Sequence, residues 1–138
     1  MAAETAGVVT LTVTLTMRLA SLDVARFDGT WRVTIVCPAT REALGWTTRF
    51  SAQVNNGVLR GHAGVEGQPH SMTMTVRIHP DGNADVDVQG RTGDPRENIF
   101  NPPPGTQYVW HSSARFEGRQ GSGKRTELRP CDLSFVKQ

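Results

Sequence analysis

At 138 residues the chain is one domain with room for a tail. An apolar fraction of 37% is enough for a core if strands alternate, and a net charge of +2 is too mild to imply a polyanion partner. The basic residues are 13 Arg and only 2 Lys, a bias we read as genomic composition rather than function.

Residues 1–26 form an N-terminal arm or extra strand ahead of a domain at 27–138. They open on Met1-Ala2-Ala3-Glu4 and carry Arg18 and Asp23, which departs from the basic start and unbroken apolar run of a secretory signal. No stretch of the chain reads as a membrane span. Within the arm, residues 8–19 alternate strictly: Val9, Leu11, Val13, Leu15, Met17 and Leu19 are apolar, with Thr10, Thr12, Thr14, Thr16 and Arg18 between them. That predicts a long strand with one face to bury. Two readings are open, an extra strand on the chain's own sheet and pairing with a protein partner or a second copy.

The next strand is 29–37, with Trp31, Val33, Ile35 and Cys37 on one face. Residues 45–54 place Trp46, Thr48, Phe50, Ala52 and Val54 on one face, and Asn56-Gly57 is a two-residue hairpin signal. Pairing about it sets Val54 against Leu59, Ala52 against Gly61 and Phe50 against Ala63. Residues 70–79 bury Met72, Met74, Val76 and Ile78, and Pro80-Asp81-Gly82 makes a turn with Gly82 left-handed. That register puts Val76 opposite Val86, Met74 opposite Val88, and Arg77 beside Asp85 on the wet face.

Residues 91–105 are a proline-rich loop, because no strand survives Pro102-Pro103-Pro104. Residues 106–117 read as a strand with Tyr108, Trp110, Ser112, Ala114 and Phe116 on one side. Residues 118–121 read as a turn, and 124–129 as a strand with Thr126 and Leu128 inward and Arg125, Glu127 and Arg129 outward. After Pro130, the last strand places Cys131, Leu133, Phe135 and Lys137 on one face.

The first and last of these strands hold the two cysteines, Cys37 and Cys131. If the cysteines bond, antiparallel pairing sets Ile35 against Leu133, Val33 against Phe135 and Trp31 against Lys137. A first strand paired with a last one closes the sheet. The expectation is an all-β antiparallel up-and-down closed barrel of about eight strands with no helix. A disulfide implies an oxidising compartment, periplasmic or secreted; two buried free thiols in a cytosolic protein are the other reading.

A barrel that opens on Gly29-Thr30-Trp31 resembles the calycin group, which includes lipocalins, fatty-acid-binding proteins and avidins. Lipocalins carry a Gly-x-Trp packed under a basic side chain at the end of the last strand, and Trp31 and Lys137 occupy those places. Bacterial metalloprotease inhibitors share the Gly-x-Trp start, a disulfide and an N-terminal arm that enters the protease cleft. The lipocalin Thr-Asp-Tyr segment and the avidin biotin-contact set are unmatched, so the resemblance implies a barrel rather than a ligand.

Trp31 with Lys137 reads as a structural plug with a cation–π contact rather than as a ligand floor. His62, His70, His79 and His111 lack metal-ligand spacing, so no metal or cofactor is expected. Asp85 and Asp87 share a solvated face, and His111, Ser112 and Ser113 point to alternating faces. With no nucleophile elbow or phosphate loop either, the chain reads as a non-enzymatic binding protein. Arg115, Arg119, Lys124, Arg125 and Arg129 gather near the last hairpin without exposed aromatics, which speaks against nucleic acid. Trp46, Phe50, Tyr108 and Trp110 on inner faces define the candidate binding residues for a small hydrophobic ligand, with a solidly packed core as the competing reading. The alternative function is an interaction or inhibitor module acting through the arm or the 91–105 loop.

Overall fold

A computed structural model describes residues 24–138. The expected strand at 8–19 lies outside the described residues. Eight antiparallel strands close into an up-and-down barrel: β1 (Gly29–Cys37), β2 (Trp46–Asn55), β3 (Val58–Ala63), β4 (Ser71–Ile78), β5 (Asn83–Arg91), β6 (Gln107–Glu117), β7 (Gln120–Arg125) and β8 (Cys131–Lys137). A single 3-10 turn, Pro95–Glu97, interrupts the long loop before β6.

Turn chemistry fixes the register. Asn56 and Gly57 both take positive φ, 53° and 74°, as a type I′ turn requires, and Val54 pairs with Leu59 and Ala52 with Gly61. That ladder ends at Ala52 and Gly61, so Phe50 and Ala63 are not ladder partners. A Cβ on Gly61 would stand only 3.0 Å from Cε2 of Phe50, so the glycine leaves the space that the Phe50 ring uses. At the next hairpin Gly82 has φ 92°, and Val76 pairs with Val86 and Met74 with Val88. Arg77 does stand opposite Asp85, but its guanidinium reaches diagonally to Asp87 at 3.3 Å, while His79 takes Asp85 at 2.8 Å.

β1 pairs with β8 in the expected register, Trp31 with Lys137 through Ile35 with Leu133, and Cys37 is bonded to Cys131. The base of the barrel is packed solid with aromatics. The Phe116 ring meets Trp31 at 5.2 Å, Phe135 at 4.8 Å and Phe27 at 6.0 Å, and Phe27 seals the end from a turn preceding β1. Lys137 sends its ammonium to the Arg26 carbonyl at 3.2 Å, and the Trp31 indole N–H donates to the Phe27 carbonyl at 2.8 Å. The cation–π contacts among the described residues are Arg26 over Phe27 and Arg125 over Trp110, so Lys137 serves the base as a hydrogen-bond donor instead.

The last hairpin corrects the sequence reading. Glu117 pairs with Gln120, so the turn is the dipeptide Gly118-Arg119 and β7 starts four residues earlier than expected. Side-chain parity then puts Gly121, Gly123 and Arg125 inward. A Cβ on Gly121 would lie 2.9 Å from Cδ2 of Phe116, so glycine there gives the base its aromatic filling. Arg125 and Arg129 are 7% and 4% exposed, while Leu128 is 56% exposed and Thr126 also faces solvent. The expected faces of Arg125, Arg129, Thr126 and Leu128 are thus exchanged, while Glu127 is exposed as expected. The basic cluster is dispersed as well: Arg115 bonds Asn83, Arg119 bonds the carbonyls of Lys137 and Gln138, and Lys124 faces Asp132 at 3.8 Å.

Candidate functional site: a cationic cavity at the barrel mouth

Side chains along β2 become more exposed toward one end. Val54 and Ala52 are buried, whereas the inward residues Phe50, Thr48 and Trp46 are only half-buried. The cause is visible in the ladders, since β2 parts from β3 beyond Ala52 and β6 parts from β7 beyond Ser113. The splayed strands leave a cavity of about 480 Å³, within the range of small-molecule sites.

Trp46, Ala63, Met72 and Tyr108 give its apolar wall, and Arg91, Arg125 and Arg129 bring cations to it. Two glycines make room. A Cβ on Gly90, the register partner of Tyr108, would stand 2.6 Å from the phenol oxygen, and one on Gly93 would occupy the space of the His70 ring. His70 reaches that position because its backbone is left-handed, φ 65°. Phe100 and Leu128 at the rim are left-handed too, at φ 68° and 67°, a conformation that costs bulky residues energy and concentrates at functional positions. A second concavity of about 880 Å³ shares Ala63, Met72, Arg91, Gln107 and Tyr108 with the first, so these five residues stand between the two.

The two buried arginines differ in what they bind. Arg129 is a clamp: Nη1 donates to the carbonyls of Leu44 at 3.1 Å and Glu97 at 2.7 Å, and Nη2 to those of Cys37 at 3.4 Å and Pro38 at 2.5 Å. It ties three loops at the mouth, and its Nε is buried without a partner. Arg125 lies with its guanidinium carbon 4.8 Å from the centroid of the Trp110 ring. Its Nε donates to the Glu127 carbonyl at 3.0 Å, and Nη1 has a weak 3.9 Å contact with Sγ of Cys131. Burial pulls its pKa down to about 10, partly offset by Tyr108, so the group stays cationic at neutral pH. Burial likewise raises the Tyr108 phenol above its ordinary value, so it remains a donor.

Of the four aromatic candidates, Trp46 and Tyr108 line the cavity. Trp110 is 1% exposed and underlies Arg125, and Phe50 packs against the core below the mouth. Sequence reasoning missed Arg125 and Arg129. The run Gly121-x-Gly123-x-Arg125 was the available signal, because residues two apart on a strand share a face and Arg125 goes where the two glycines go.

The polar clusters elsewhere are occupied with one another. Asp87 meets Arg77 and also His111 at 3.5 Å, and His111 lies 3.7 Å from Glu127. Among the described residues no group of three or more His, Cys, Asp or Glu side chains is placed to hold a metal ion, and no helix is long and apolar enough to cross a membrane. No family model matches the chain, and no curated protein or solved structure shows significant similarity to it.

Proposed function

We propose that this protein is a non-enzymatic binding protein of calycin-like type that encloses a small, largely apolar ligand in the mouth of its barrel. The observation that carries the reading is the cavity of about 480 Å³ with Trp46, Met72 and Tyr108 on its wall, above a base closed by Phe27 and Trp31. Depth and apolar lining supply affinity, while the few polar groups at the mouth fix orientation. The disulfide supports a periplasmic or secreted setting, where such a bond persists.

The neutral probe N-phenyl-1-naphthylamine tests this reading. It should brighten on binding and quench tryptophan emission, and native mass spectrometry should find a small molecule carried through purification. A probe that stays dark up to its solubility limit, with only the bare chain mass observed, would sink the proposal.

A second reading, an interaction or inhibitor module, draws on Phe100. This side chain is 88% exposed in the 91–105 loop, where an unburied aromatic suits a partner's pocket.

A further inference from the structure

We infer that the enclosed ligand is a small organic acid, whose carboxylate sits on the free edge of the Arg125 guanidinium and whose flat apolar body lies against Trp46. The inference rests on the enclosed-ligand reading and adds the ligand's chemical class.

Arg125 is 7% exposed, yet among the described residues no carboxylate forms an ion pair with it. Its neighbour Glu127 bonds Arg125 only through a backbone carbonyl; its carboxylate acts on the cation at longer range and turns outward to accept from the His111 amide at 2.8 Å. A desolvated cation left without an anion is costly, and native proteins pair such groups. The missing partner therefore comes from outside the chain.

The geometry suits a planar acid. The cation–π contact with Trp110 holds the guanidinium in place, and the bond from Nε to the Glu127 carbonyl restricts its rotation. The two Nη atoms remain, with nothing stronger than the 3.9 Å sulfur contact at Nη1, and such a paired edge matches a carboxylate bidentately. The wall has the same bias: among the described residues, Arg91, Arg125 and Arg129 stand against Glu97 as the one carboxylate lining the cavity. Arg129 gives both Nη atoms to four carbonyls and so positions the mouth, and the half-buried Arg91 gives Nη1 to the Gly105 carbonyl, which leaves Arg125 as the buried cation to receive an anion.

The experiment compares 2-naphthoate with its neutral analogue 2-naphthalenemethanol by calorimetry on the whole disulfide-bonded protein. The wild type should favour the acid by about tenfold or more, the size expected of charge-assisted hydrogen bonds. Arg125→Gln should erase that preference, weakening the acid about tenfold while the alcohol stays within about twofold. Equal affinity of the wild type for both probes, or equal weakening of both in the variant, overturns acid recognition; a retained N-phenyl-1-naphthylamine response would then leave the enclosed-ligand reading standing. Silence from all three probes overturns both readings. If the variant loses its near-ultraviolet circular dichroism, the wild-type comparison decides alone.

Discussion

Arg125 holds its guanidinium carbon 4.8 Å from the centroid of the Trp110 ring, while Arg129, four residues on, is wrapped in backbone carbonyls. Two buried cations of one short segment therefore make opposite contributions to stability. Arg129→Met leaves the carbonyls of Leu44, Glu97, Cys37 and Pro38 without their donor, and should cost about 2–4 kcal/mol in urea unfolding. Arg125→Met loses one strong bond and a stacking contact but removes an uncompensated charge, so its change should stay within about 1 kcal/mol. A costly Arg125→Met beside a neutral Arg129→Met would reverse these roles.

The Cys37–Cys131 bond closes a loop with a sequence separation of 94. Chain entropy puts its contribution at about 4–5 kcal/mol. Reduction, or the double change to serine, should lower the melting temperature markedly. An unchanged melting curve under reductant would show that the β1–β8 ladder needs no covalent support.

Gly123 is inward, and a Cβ there would stand 2.6 Å from the Ser113 carbonyl and 3.0 Å from Cβ of Ala114. Backbone cannot yield as a side-chain tip does, so Gly123→Ala should cost about 1–3 kcal/mol in chemical denaturation. The same change at Gly118, where nothing lies within 4 Å but φ is 60°, tests conformational strain alone and should cost about 1 kcal/mol.

Asp94 caps the turn Pro95–Glu97, accepting from both the side chain and the backbone N–H of Arg96. Those bonds, the side-chain one foremost, pull its carboxyl from 3.8 to about 2. The stabilisation from this cap is therefore complete above the ordinary carboxylate range and is lost as pH falls from 3.8 through about 2. Carbon-detected NMR titration should place the Asp94 inflection near 2 in the wild type and return it toward 3.8 in Arg96→Ala. An inflection that ignores the substitution would assign the shift to another cause.

Most of the barrel could be read from the chain because its turns and its alternation agree. Asn56-Gly57 and Pro80-Asp81-Gly82 fix two hairpins, and Val33, Ile35, Leu133 and Phe135 state the closing register in side chains. β7 escaped because Gly121 and Gly123 carry no side chain to declare a face, and because a buried arginine runs against the hydrophobic rule that parity reading relies on. The site was half legible for the same reason. Trp46 and Tyr108 announce themselves as inward aromatics, whereas Arg125 reads as surface until its strand is phased. The Arg77 pairing went astray more mildly: register places residues opposite one another, but a long flexible side chain chooses among diagonal partners.

β1 takes one neighbour early and the other very late. β2 follows it directly, but β8 is the last strand in chain order. Until β8 arrives, one side of β1 is an open row of amides and carbonyls, and Cys37 is an unpaired thiol. A chain made from its N-terminus cannot seal this barrel before β8 has emerged. Closing so long a loop makes that step slow. The seam that holds the finished barrel is thus its window of vulnerability during synthesis, when chaperones that mask a strand edge and catalysts of thiol oxidation can decide between a sealed barrel and strand-swapped aggregates.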